Sequence, residues 1–180
     1  VISGPMEFGM TSPVIATETA GDYGFLLKLS QFSVNEEAWA MFDPQGALNH
    51  EAADIAIDIS GKTKIDLPGL ITAEESGMAP PIPTPESLNI NELALKVAGA
   101  ALVGTGAFTF DNSMGMPAPL GEANVTVTGA NALIDGLIAT GLMSEDDAMG
   151  ARMMMGMFMV PGANADELTS KIEAKEGFQI

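Results

Sequence analysis

Cysteine is absent from the chain, and histidine occurs once, at His50. The first absence removes disulfides, thiolate metal sites and cysteine nucleophiles together. The second means that any Ser-His-Asp arrangement would have to pass through His50, which sits in the acidic segment Asn49-His50-Glu51 and reads as a surface residue. Positive charge is scarce: seven Lys and Arg stand against 24 Asp and Glu, for a formal net charge of −17. Such a chain repels phosphate backbones and anionic membrane surfaces, since both kinds of binding draw on Lys and Arg. Nucleic acid is therefore excluded as a partner. Long hydrophobic runs are missing too. The best stretches, 97–103 and 153–160, fall far short of the roughly 18 residues that read as a membrane-spanning helix, so no span is expected in this chain.

Motifs that carry chemistry are equally sparse. No G-x-S-x-G elbow is present, and the glycines of GAALVGTGAF (99–108) lack the Lys-Ser/Thr ending of a phosphate loop and a following helix. The nearest imitation of a calcium loop, Asp111-Asn112-Ser113, is a poor one. Asp54 and Asp58 fall on the wet side of a strand, and Glu145, Asp146 and Asp147 are explained by helix capping. The sequence thus predicts no catalytic residue, no cofactor and no enzyme.

What is abundant is apolar surface. Hydrophobic residues make up 47% of the chain and mean hydropathy is +0.24, so the acidity does not signal disorder. A length of 180 residues suits one substantial domain. Val1 is not an initiator Met, and Phe178-Gln179-Ile180 reads as the opening of a strand. The expectation is a fragment of a longer precursor, with any signal peptide outside it. A cysteine-free, acidic, Ala- and Gly-rich composition suits bacterial envelope proteins.

Several segments alternate with period 2, as half-buried antiparallel strands do. In 53–59, Ile55, Ile57 and Ile59 share a face opposite Asp54 and Asp58; in 122–128, Ala123, Val125 and Val127 oppose Asn124, Thr126 and Thr128. Two segments change phase: Phe25, Leu27, Leu29 gives way to Phe32, Val34, and Leu88, Ile90 to Leu93, Leu95, Val97. A one-residue slip is what a β-bulge absorbs, which predicts bulged or bent strands. Residues 99–110 predict a strand hairpinned to the previous one near 98–100, with Gly104 and Gly106 marking a bend or close approach. The stretch 168–175 predicts a last strand. Two long irregular connections are expected, a Pro-rich loop over 68–86 and a second over 111–121.

Helical spacing is confined to fewer places. Ala130, Leu133, Ile134, Leu137, Ile138 and Gly141 form one face of an amphipathic helix over 130–142. Ser144 caps a second helix over 145–159, stopped by Pro161-Gly162, and a short helix is expected over 35–42. The second helix ends in ARMMMGMFMV (151–160), with five methionines in seven positions. From Met153 onward it has no wet face and must be covered by its own fold, a partner or a lipid. Met149, Met153 and Met157 recur at i, i+4, i+8 with Phe158 beside them. Three readings follow for them: core packing, an adaptable apolar contact surface, or a soft Cu(I) site that Met114 and Met116 could join. Copper sites usually recruit a nearby His or Cys, so no metal is expected.

The segment Trp39 to Gly46 (WAMFDPQG), followed by ADIAIDISG, resembles an uncharacterised bacterial envelope family, domain of unknown function 2125. The tail resembles it too, in a small-residue-led helix, a Gly-Leu turn, a second helix and paired strands ending in EGFQI. The resemblance implies a membrane-anchored or exported protein facing the periplasm, without an established activity.

The expected architecture is a single α+β domain over 1–180: a curved, mainly antiparallel sheet with a two-helix hairpin near the C-terminus packed on one face. The expected function is non-enzymatic binding of a lipid or other apolar ligand between sheet and Met-rich helix, with Met149, Met153, Met157 and Phe158 as ligand-binding residues. The alternative is a structural or interaction module that docks an envelope protein partner through the apolar helix 145–159. An enclosed cavity favours the first and an exposed apolar patch the second.

Overall fold

A computed structural model describes residues 4–13 and 19–175; the strand expected to open at Phe178 lies outside the described residues. The chain forms an α+β fold built on one open sheet of eight strands, with neighbours antiparallel throughout. The strands are β1 (Met6–Thr11), β2 (Gly21–Phe32), β3 (Ala53–Lys64), β4 (Thr84–Val97), β5 (Ala100–Asp111), β6 (Ala118–Thr128), β7 (Val160–Pro161) and β8 (Glu167–Ala174). Their order is β1-β2-β3-β4-β5-β6-β8-β7. The helices are α1 (Glu36–Phe42), α2 (Leu67–Ser76), α3 (Ala130–Ala139) and α4 (Glu145–Phe158).

Both phase changes in the sequence are irregularities in the ladder. In β2 the pairing jumps from Leu29 opposite Ile55 to Phe32 opposite Ala53, around Gln31 at φ 55°. In β4 it jumps from Glu92 opposite Asp58 to Ile90 opposite Ile59. The displaced residue, Asn91, donates from Nδ2 to Asp58 (2.9 Å) and Ser60 (3.0 Å). Each slip keeps the apolar residues of its strand on one face. Opposite the β4 irregularity lie Gly104 and Gly106, and a Cβ on Gly106 would stand 2.8 Å from that of Ala123, so this is the close approach that the two glycines signalled. The β4–β5 turn uses Ala98 and Gly99, both at positive φ, the twist that a two-residue hairpin requires.

Two expected loops are shorter than the sequence suggested. The first half of the 68–86 stretch is helical, in α2: Pro68 falls at the helix start, where its missing N–H costs nothing, the Asp66 carboxylate accepts from Gly69 N–H (2.9 Å), and Gly77 at φ 65° ends α2. Thr84, Pro85 and Glu86 already belong to β4, leaving only 77–83 irregular. Likewise β6 begins at Ala118 opposite Asp111, so the connection within 111–121 is a hairpin loop over 112–117. β1 has no counterpart among the expected strands, because Met, Glu and Gly are weak strand formers, and its pairing to β2 supplies what propensity lacks.

Helix α3 packs against β5, and α4 packs on α3. Gly129, at the entry to α3, carries no capping side chain; the cap comes from Asp166, whose carboxylate accepts from the Asn131 and Ala132 N–H groups and from Asn131 Nδ2 (2.6 Å). Arg152 ties the pair together, reaching Asp135 (2.6 Å) and Asn131 (3.2 Å) on α3. On its other side α3 meets the loop after α1 at Gly136, where an added Cβ would stand 3.0 Å from the Ala47 carbonyl oxygen and 2.7 Å from a Leu48 methyl.

Gly136→Ala should therefore destabilise the fold by about 1–3 kcal/mol through overpacking, although alanine in a free helix position gains about 1 kcal/mol over glycine. Gly150→Ala on α4, where nothing lies within 4 Å of the new methyl, should show that gain. Urea unfolding of both variants checks the contrast, and equal stabilisation by both would refute the close fit at Gly136.

Candidate functional site

The register of the ladder assigns every strand residue to one of two faces. On one face lie Met6, Phe8 and Met10 of β1, Phe25, Leu27 and Leu29 of β2, Ile55, Ile57 and Ile59 of β3, and Leu88, Ile90, Leu93 and Leu95 of β4. It continues through Leu102 and Phe108 of β5, Val125 and Val127 of β6, and Leu168 and Ile172 of β8. No charged side chain stands on this face at any paired position from β1 to β8. At about 4.8 Å between strands and 3.3 Å per residue it measures roughly 35 by 35 Å.

This apolar face is largely uncovered. Of the helices, only α3 makes more than marginal contact with a strand. Among the described residues the buried apolar side chains are five alanines and Ile134, and no large side chain is fully buried. The accessible surface, 11718 Å², is about 40% above the roughly 8,200 Å² expected of a compact monomer of this mass. Of the side chains named on this face, Met6, Phe8, Met10, Leu95 and Ile172 are exposed, while the central ones are half-buried by their own neighbours; most of the other exposed large apolar side chains lie on helices and loops.

The opposite face carries the charge. Lys28 on β2 bonds Glu92 on β4 (2.7 Å), Lys62 on β3 bonds Asp22 on β2 (2.8 Å), and Lys171 on β8 joins Glu122 on β6 (2.9 Å) to Glu173 (2.8 Å). Donating to the Glu122 and Glu173 carboxylates holds the Lys171 ammonium above its ordinary value, and accepting from Lys171 and Lys175 lowers Glu173 to about 2. These exposed pairs add little stability; they keep that face wetted.

The methionines stand differently from their expected place. Met149, Met153, Met157 and Phe158 are 61–68% exposed instead of walling a cleft against the sheet. The seam that α4 turns inward is Ala148, Ala151, Arg152 and Met155, of which Ala148 is completely buried. Small residues let α4 approach α3 closely, and that choice of face rotates the i, i+4, i+8 methionines outward. Core packing is accordingly not their role. Met149 lines an open groove of about 620 Å³ between α3 and α4, shared with Ile138, Glu145 and the Asp135–Arg152 pair.

A second cluster lies at the end of α1. Asp43 is 2% exposed, the one buried charged side chain among the described residues. Its carboxylate accepts from Ala47 N–H and Leu48 N–H (both 2.8 Å) and meets His50 Nε2 at 3.0 Å. His50 stacks flat on Trp39 with ring centres 4.1 Å apart, and Trp39 packs on Phe42 at 4.9 Å. His50 is thus a half-buried structural residue and not the surface group its acidic neighbours suggested. Burial alone would raise the Asp43 carboxyl; the Leu48 and Ala47 amides and the His50 ring outweigh it and hold the group below its ordinary value.

Sequence reasoning assigned the apolar face by alternation but missed how little of it the helices cover, although the signal was present: many alternating strands and few helices. A family model described as "Uncharacterized protein conserved in bacteria (DUF2125)" matches residues 10–177, nearly the whole chain. No curated protein and no solved structure matches the chain.

Because the Asp43 carboxyl is depressed in the folded state, its stabilising contribution is fully present above the unfolded value of about 3.9 and is lost as pH falls through the lower folded value. Asp43→Asn should lower the melting temperature at neutral pH and flatten its decline toward pH about 3. Thermal melts across that range check both effects; a variant with the parent's acid limb would show that Asp43 does not contribute to it.

Proposed function

We propose that this chain, which belongs to the uncharacterised bacterial family whose model spans residues 10–177, is a non-enzymatic envelope protein that binds the acyl chains of a lipid on the apolar face of its sheet. The observation that carries this reading is the uncharged, largely uncovered face running from β1 to β8. Extended acyl chains fit such a floor, since it is longer than one chain and carries no charged side chain at its paired positions, and its Tyr23 and Ser170 hydroxyls already donate to the Ser87 and Phe158 carbonyls. Each methylene removed from water there contributes about 0.8 kcal/mol. The site so proposed is the sheet itself, with the methionine helix at its border. Location in the periplasm follows from the same reading, as the aqueous space in which a bacterial lipid needs an apolar carrier.

A second reading has its own observation, the exposed row Met149, Met153, Met157 and Phe158 on α4. Flexible thioether side chains with an aromatic neighbour suit a protein partner, and in the envelope that partner would be another envelope protein.

The two readings separate by substitution. Ile57→Glu and Leu27→Glu, paired neighbours at the centre of the apolar face, should weaken binding of a fluorescent fatty acid by tenfold or more, about 1.4 kcal/mol. Lys28→Gln on the other face should leave it unchanged. Native mass spectra should carry added lipid mass in the parent protein only; a clean apo mass after incubation with phospholipid would sink the lipid reading. Met153→Gln with Met157→Gln should leave lipid binding intact and abolish any partner contact made through α4, as read by crosslinking in cell envelopes.

A further inference from the structure

The two edges of the sheet are not treated alike. On the β8 side, β7 covers Leu168 and Thr169 and contains Pro161, and the charged Lys171, Glu173 and Lys175 stand along the rest. Proline and lysine at an edge oppose the addition of another strand. On the other side β1, MEFGMT, contains neither.

The ladder shows which backbone groups β1 leaves open. Ser30 N–H donates to the Pro5 carbonyl (3.2 Å), one position before the Met6–Leu29 pair. Hydrogen-bonded and non-bonded pairs alternate in an antiparallel ladder, so Pro5, Glu7, Gly9 and Thr11 turn their backbone groups toward β2. Met6, Phe8 and Met10 turn theirs outward. Their side chains lie on the apolar face and are 62–73% exposed.

We infer that the outer edge of β1, which no strand pairs among the described residues, pairs antiparallel with β1 of a second copy, about a two-fold axis through Phe8. In that register Phe8 opposes Phe8 and Met6 opposes Met10, so each of the three pairs can exchange two backbone hydrogen bonds. Glu7 falls opposite Gly9, so no carboxylate meets another directly, and Lys28 stands beside Glu7 within each copy. Phe8 is already held edge-on against Phe25, with ring centres 5.7 Å apart, ready for an aromatic neighbour across the axis. The axis runs perpendicular to the sheet, which puts the two apolar faces on the same side and joins two eight-stranded sheets into one floor. The pairing itself requires no lipid. Because each copy carries a net charge of −17, added salt strengthens the association.

Sedimentation of the delipidated protein over a range of concentrations and salt tests this. The parent protein should show a reversible dimer, tighter at higher ionic strength. Met10→Pro removes an outward N–H that β2 does not use, and should weaken the dimer by tenfold or more while the circular dichroism spectrum is kept. Met10→Lys, which leaves the backbone intact, should do the same and decides the matter if the proline variant fails to fold. Hydrogen exchange at Met6, Phe8 and Met10 should slow with concentration, while Glu7 and Gly9 are protected already in the monomer. A parent protein monomeric at every concentration and salt would overturn the inference. So would a dimer that both variants form as well as the parent, or one seen only when lipid is added.

Discussion

The arrangement of helices on this sheet depends on one buried carboxylate. Asp43 leaves water at the end of α1, and the cost of burying its charge is offset by two amide N–H groups and the His50 ring. Those amides belong to Ala47 and Leu48, whose backbone oxygen and methyl sit against α3 at Gly136, and the next residue, Asn49, packs against Gly99 in the β4–β5 turn. A single side chain thereby fixes the bracket that holds α3 at one end of the sheet. The Trp39-x-x-Phe42-Asp43-Pro44 segment has a physical explanation in these contacts: Trp39, packed on Phe42, stacks on the His50 ring that meets the carboxylate, and the Asp-Pro step turns the chain so that the following amides come back to it.

Holding α3 at one end leaves the rest of the apolar face open, and the sheet must persist without a second layer. Its stability comes from long ladders and from cross-strand pairs such as Leu27 with Ile57 and Ile57 with Leu93, which shield one another within the layer. The irregularities at Gln31 and Asn91 matter for the same reason. Without them the apolar residues beyond each slip would cross to the charged face, and neither face would be uniform.

That uniformity was legible in the sequence, since alternation assigns residues to faces and a phase change locates a bulge. The helices at 36–42, 130–139 and 145–158 were legible from spacing and from Ser144. α2 was not, because Pro68 and the later prolines read as loop until Asp66 and Gly77 are recognised as its caps. The candidate site was legible only in part. Alternation shows that a strand has an apolar face, but not whether anything covers it, which depends on where the helices dock. The outward turn of the methionines was not legible for a related reason: at every third or fourth position α4 offers both a methionine stripe and the Ala148–Ala151 seam, and close packing of α4 on α3 selects the smaller side chains.

Charge segregation has a further consequence for what such a face can hold. The acidic excess of the chain lies on the wetted face, the helices and the loops, while the apolar floor is electrically bare. In the proposed lipid complex the chain's net charge of −17 would repel an anionic headgroup, and a neutral or zwitterionic one would meet no such penalty. Under the proposed function, selection among lipids would need no pocket shaped to a headgroup: an uncharged floor would take a chain by area, and the acidic excess around it would sort headgroups by sign.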